Sequence, residues 1–163
     1  MYKHLVLIKG NNMNIQKHYE SVKQFNKIAG SLDNVTVEKI DLQLDLIYEE
    51  FVVEGITNFE DKNPEKFLDD VCDTFVTVAG WMQMMEAAGF NVEEALERIC
   101  QNNLEKYPSA DEPIVIQGDL TVKKNEEYNC WVITDTKGKV KKPPNFVSVN
   151  LDGLYPTDFF KGD

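Results

Sequence analysis

The sequence predicts a mainly α-helical protein of four helices that carries a small β-hairpin near its C-terminus. Up to about residue 107, apolar residues recur every three or four positions, which is the period of a helix with one face in a core. Beyond Pro108, short apolar runs alternate with turn residues, a pattern typical of short strands. At 163 residues and 42% hydrophobic content, we expect a single domain over residues 1–163. Its helical body would span about 14–107 and its β appendage about 112–163.

The first two predicted helices have clear apolar faces. One runs from Asn14 to about Ala29, where Gly30 ends it. The next begins near residue 37 and ends near Gly55, and residues 56–63 are expected to form a loop. One stripe of this second helix is acidic and faces water, and it consists of Glu38, Asp41, Asp45 and Glu49.

Two further helices and a hairpin complete the predicted fold. Pro64 suits the first turn of a third helix that reaches about Ala88. Asn91 and Glu94 resemble a capping pair at the start of a fourth helix, which runs to roughly Lys106. Strands are predicted at 114–117, 128–134 and 139–142, and the last two flank the turn DTKG. The apolar run at 5–8 is either another strand or a frayed N-terminus.

Composition excludes several classes of function. Twenty-eight acidic residues against 17 basic ones give a net charge of -11, which repels nucleic acid. For the same reason, an anionic ligand would need a divalent cation beside it. Three scattered cysteines and two histidines leave little material for a disulfide framework, a zinc site or a catalytic triad. No stretch reaches the roughly 20 apolar residues that cross a bilayer. We expect a soluble, cytoplasmic protein.

The third helix carries an unusual acid. From Val71 to Met85 the only formal charge is Asp73, so this helix is predicted to be central and buried. A buried aspartate is normally protonated, paired with a cationic side chain or bound to a metal. Asp70 lies one turn earlier on the same face, and two neighbouring acids would repel each other without a cation. A metal and a lysine partner both remain open here.

The second helix offers acids that could face this pair. Glu49 extends the wet stripe, whereas Glu50 lies beside apolar neighbours and is the inward candidate. Glu54, at i+4, points within about 40° of Glu50 in an α-helix. Two inward acids on each helix would form an oxygen cage suited to Mg²⁺ or Mn²⁺. The alternative is that these acids form an ordinary solvated face.

The order of these segments resembles the MazG-like members of the all-α nucleoside triphosphate pyrophosphatases, a group that includes phosphoribosyl-ATP pyrophosphohydrolase. The resemblance runs from about Val22 to Leu151 and is closest to compact versions carried by bacteriophages. Its segments are SVKQFNKIAG, LIYEEF, DDVCDTFVTVAGWM, RICQNNLEK and GKVKKPPNF. It implies the four-helix bundle of that family with a C-terminal hairpin.

The resemblance also implies a set of site residues. The family places Glu-Glu-x-x-Glu on one helix and Glu-x-x-Asp on the next, and both bind Mg²⁺ around a triphosphate. The last glutamate of the first motif falls on Val53, and Glu54 is the nearest substitute. The metal ligands would be Glu50, Glu54, Asp70 and Asp73. Glu49 and Glu50 would serve catalysis at the attacking water, and Asn103 and Lys106 would contact the nucleotide.

The implied activity is Mg²⁺-dependent hydrolysis between the α- and β-phosphates, which releases a nucleoside monophosphate and pyrophosphate. A catalytically weakened member of the fold that binds a nucleotide or a regulatory partner is the alternative, and Val53 favours it. A purely structural helical protein is a third hypothesis. The resemblance further implies a homodimer or a dimer of dimers, located in the host cytoplasm if a phage encodes it.

Overall fold

A computed structural model describes residues 13–161, so the candidate strand at 5–8 lies outside the described residues. The chain divides into two compact units, of which the first holds described residues 13–90 and 157–161 and the second holds 91–156. Helices dominate, and a two-stranded antiparallel sheet lies near the C-terminus, as predicted. The mainly α class is therefore confirmed, whereas the pyrophosphatase bundle and the single domain stay predictions. No helix among residues 13–161 is long and apolar enough to span a membrane.

The first unit begins with two helices whose starts are set by side-chain caps. Helix α1 spans Ile15–Ala29, and the Asn14 side chain accepts a hydrogen bond from the Lys17 backbone N–H. It ends at Gly30, whose φ of 70° is the left-handed conformation that favours glycine. Helix α2 spans Val37–Tyr48 and is capped in the same way by Thr36.

The second helix does not stop near Gly55, so that prediction is wrong. It continues through a π-helical turn, Glu49–Gly55, into helix α3, Ile56–Glu60. Gly55 is buried and has ordinary helical angles. A Cβ atom there would lie 3.1 Å from the Glu50 carbonyl oxygen and 3.8 Å from the Asp70 Cβ. The tight distance is the one to the Glu50 carbonyl of its own π-helical turn, so glycine is favoured at this position without ending the helix.

Helix α4, Pro64–Ala87, packs against α1, α2, α3 and the π-helical turn. The buried apolar side chains of these helices are few, namely Val22 on α1, Ile40 on α2, and Ala79 and Met84 on α4 itself. The prediction that α4 is buried all round is wrong for this chain by itself. Leu68 is 64% exposed and Val71 is 50% exposed, because the other helices of the unit cover only part of its circumference.

A layer of buried amides joins α1, α2 and α4. Asn26 Nδ2 donates to Gln83 Oε1 at 3.0 Å, and Gln83 Nε2 donates to the Tyr19 carbonyl at 2.9 Å. Gln43 Nε2 donates to the Thr77 carbonyl at 2.8 Å. Because Gln83 is only 1% exposed, these bonds satisfy polar groups that would otherwise be costly to bury.

The second unit contains helix α5, Val92–Leu104, and a hairpin of β1, Thr121–Asn125, and β2, Cys130–Thr134. The register pairs Thr121 with Thr134, and Ile133 is fully buried. Residues 114–117 form no strand, and the strand predicted at 139–142 is reduced to one bridge between Thr134 and Val140. Strand β1 was not predicted because its sequence, TVKKN, has a single large apolar residue.

Candidate functional site

The π-helical turn holds Glu49, Glu50 and Glu54. A π-turn closes from residue i to i+5, so it is wider than an α-turn, and residues four and five positions apart lie on one face. By this rule Glu54, four residues after Glu50 and five after Glu49, lies on the face of both, whereas Val53 is four residues after Glu49 only. Glu54 and Val53 are both exposed. π-Turns within α-helices occur frequently at functional sites, so the π-helical turn is a candidate functional segment.

On α4, the buried acid is Asp70 and not Asp73. Asp70 is 5% exposed, and its Oδ2 accepts a hydrogen bond of 2.8 Å from Asn58 Nδ2. Asp73 is exposed, so its predicted burial is wrong. The physical reason is the packing of α4, which turns Asp70 toward Gly55 of the π-helical turn and Asn58 of α3 and leaves Asp73 open to water. Asp70, and not Asp73, is therefore the acid whose charge is costly to bury without a partner.

The charges of the other four predicted acids act on the carboxyl group of Glu50. Glu50 is partly buried, whereas Glu49 is exposed as expected. Partial burial raises the pKa of the Glu50 carboxyl, and the charges of Asp73, Glu54, Glu49 and Asp70 raise that pKa further. We call these five residues the acid group. The ion pairs found among residues 13–161 do not include any of its members.

The acid group suits a metal by its chemistry but is not a closed set of ligands. Carboxylate oxygens are the donors that Mg²⁺ and Mn²⁺ prefer. Across the described part of the chain, however, no three acidic, histidine or cysteine side chains converge closely enough to hold an ion. Binding one would therefore require carboxylates of the acid group to rotate inward.

The predicted nucleotide contacts lie at the end of α5, in the second unit. Lys106 Nζ donates to Asn103 Oδ1 at 2.6 Å, so the two side chains form a pair within their own unit. Asn103 is exposed and Lys106 is partly buried. Their contact with a nucleotide stays a prediction.

The structure also contains an apolar pocket that sequence reasoning missed. It has a volume of about 150 Å³, and its walls are Phe51, Gly55, Ile56, Phe59, Phe67, Asp70, Val71 and Thr74. The signal was present in the phenylalanines at 51, 59 and 67, which are spaced by eight residues. It was overlooked because residues 56–63 were expected to form a loop. Asp70 belongs both to this pocket and to the acid group.

The fold and the site together define a small, mainly helical protein whose acid group is built on a π-helical turn and the helix that follows it. Comparison with known proteins adds no relative, because no family model, curated protein or solved structure matches this chain.

Proposed function

We propose that this protein is a Mg²⁺-dependent nucleoside triphosphate pyrophosphohydrolase, which cleaves between the α- and β-phosphates to give a nucleoside monophosphate and pyrophosphate. The observation that carries the proposal is the gathering of four carboxylates from the π-helical turn and α4 around Glu50, which is itself partly buried. Like charges gathered in this way favour a divalent cation, and a cation is what an acidic protein needs to bind a triphosphate. The resemblance to MazG-like enzymes supports the choice of reaction.

Each residue of the site has a proposed role. Glu50, Glu54, Asp70 and Asp73 would hold Mg²⁺ or Mn²⁺. When bound, the cation offsets phosphate charge and lowers the pKa of the attacking water. Glu49 orients that water, and Glu49 or Glu50 takes its proton. Asn103 and Lys106 contact the nucleotide.

A second candidate function is binding of a nucleotide without hydrolysis. Two observations favour it, namely the open arrangement of the carboxylates in the described residues and the valine at position 53. A protein of this kind would bind Mg²⁺ and a nucleotide together but release no pyrophosphate.

We also propose that the chain assembles in the cytoplasm as a homodimer or a dimer of dimers. Large apolar side chains stand exposed on α1 and α2, including Phe25 at 63%, Ile28 at 80% and Leu42 at 62%. Helix faces of this composition are normally covered, either by the same chain or by another copy. Sedimentation equilibrium would give the mass directly, and a monomer at all concentrations would contradict the proposal.

The central experiment measures pyrophosphate release from a panel of ribo- and deoxyribonucleoside triphosphates with Mg²⁺. We expect turnover of at least one nucleotide, and a loss of 100-fold or more in Glu50→Gln and Asp73→Asn, the usual scale for removing a group that acts on the reacting atoms. Asp45→Asn is the matched control, since Asp45 is an exposed acid of α2 outside the acid group.

The outcomes separate the two candidates. Mg²⁺-dependent nucleotide binding without pyrophosphate release would replace the enzyme by the binding protein. If no nucleotide is hydrolysed or bound and Mg²⁺ leaves the melting temperature unchanged, both candidates are wrong and a structural role is favoured.

A further inference from the structure

The apolar pocket beside Asp70 has walls that are themselves partly open to water. Phe51 is 58% exposed, Phe59 is 64% exposed and Val71 is 50% exposed. The rings of Phe59 and Phe67 stand 5.5 Å apart between centroids, at an angle of 54°. Contiguous apolar surface of this kind on a protein otherwise rich in charge marks a site of interaction.

The size and chemistry of the pocket restrict what can occupy it. Its volume of about 150 Å³ is that of a cavity known to accept a benzene ring. Apart from Asp70 and Thr74, every residue of its wall is apolar or glycine. A nucleobase would give up hydrogen bonds to water on several edge atoms and meet only Asp70 and Thr74 as polar groups here, whereas a phenylalanine or leucine side chain needs no hydrogen-bond partner. The pocket therefore fits an apolar anchor residue from a protein chain.

Charge next to the pocket restricts which protein chain this is. Asp70 is part of the wall, and its charge acts together with those of Glu50, Glu54 and Asp73. In a symmetric contact with a second copy, the same patch would meet itself, so two sets of carboxylates would be brought together. A segment with lysine or arginine beside its anchor would instead meet opposite charge.

We propose that this pocket is a docking site for a basic segment of a partner protein. One phenylalanine- or leucine-sized side chain of the segment enters the pocket beside the packed rings of Phe59 and Phe67, and flanking lysines or arginines lie along the acid group. Docking of this kind requires neither Mg²⁺ nor hydrolysis, so it goes beyond the proposed function and can be tested apart from it.

The test uses a capped peptide in which one phenylalanine is flanked on each side by three lysines. Binding is followed by backbone amide chemical shifts in EDTA, which removes divalent cations. We expect shifts that map to α3 and the first half of α4, and affinity that falls as salt rises. A peptide with alanine in place of phenylalanine, and the Phe59→Ala protein, should each bind at least tenfold more weakly. Phe160→Ala is the matched control, since Phe160 is a comparably exposed phenylalanine that also pairs with another ring and lies outside the pocket, and it should bind as the wild type does.

Three results would overturn the proposal. Equal binding of the alanine peptide would show that charge alone drives association. Equal binding of a peptide with glutamates in place of its lysines would show that the acid group selects nothing. Self-association that Phe59→Ala abolishes, without peptide binding to the wild type, would assign the pocket to a second copy of this chain.

Discussion

The two units of this chain are held together by different kinds of contact. In the second unit, Ile133 of the hairpin is fully buried. Side chains of α5 donate hydrogen bonds to the backbone of the segment that follows the hairpin. Arg98 Nη1 donates to the Asn150 carbonyl at 3.0 Å, and Asn102 Nδ2 donates to the Val147 carbonyl at 2.8 Å. In the first unit, a small apolar core and an amide layer hold helices whose large apolar side chains remain exposed. Both units leave large apolar side chains exposed, among them Ile28 in the first and Val115 in the second, so the units differ in the kind of contact that holds each one together.

The largest expected effect is the loss of stability when the buried core of the second unit is truncated. Ile133→Ala should lower the free energy of unfolding by about 2–5 kcal/mol, because Ile133 is fully buried and its truncation leaves a cavity. Urea unfolding measures the loss. Val115→Ala is the control, since Val115 is 82% exposed and its truncation should change little. Similar losses in both variants would show that this core is not what stabilises the unit.

The next prediction concerns the acid group in the first unit. At a Mg²⁺ concentration 100 times the dissociation constant, binding to the folded state alone would stabilise the protein by about 2.7 kcal/mol. We expect a rise in melting temperature with Mg²⁺ that Asp73→Asn reduces and Asp45→Asn retains. An equal rise in all three proteins would mean that the cation binds elsewhere.

The amide layer gives the third prediction. Gln83→Leu should destabilise the protein by about 1–3 kcal/mol, because the Asn26 amide then loses its buried partner. Replacing both residues, as Asn26→Leu with Gln83→Leu, should cost less than the sum of the single changes, since no amide of the pair is left unmatched. Chemical unfolding of the four proteins completes the cycle, and simple additivity would contradict the coupling.

Sequence predicted those features of this fold that depend on neighbouring residues. The starts of α1 and α5 were predictable, since Asn14 and Asn91 cap helices through residues three positions away. The position of Gly55 beside Asp70 was not predictable, because the two residues belong to different helical elements. The amide layer likewise requires three helices to meet. For the acid group, the sequence identified the members, but only packing shows that Asp70, and not Asp73, is the buried one.

The smallest effect concerns the charge of Glu50. Its pKa in the folded state lies above the usual value of 4.5, so the folded protein binds more protons than the unfolded chain between those two values. Without metal, stability should therefore fall as pH rises through this window and stay low above it. Glu50→Gln removes the repulsion and should raise stability at pH 7 by about 0.5 kcal/mol, the scale of one like-charge pair on a helix.

Glu38 provides the opposite control for this measurement. A hydrogen bond from the Thr36 side chain is the main cause that lowers the pKa of the Glu38 carboxyl, so its ionised form favours the folded state. Glu38→Gln should therefore lower stability at neutral pH and remove a loss that occurs on acidification. Unfolding in EDTA across pH 4 to 8 would compare the two variants with the wild type. If both shift stability in the same direction, the charge is not the cause, and the acid group would lose the electrostatic argument on which its proposed function depends.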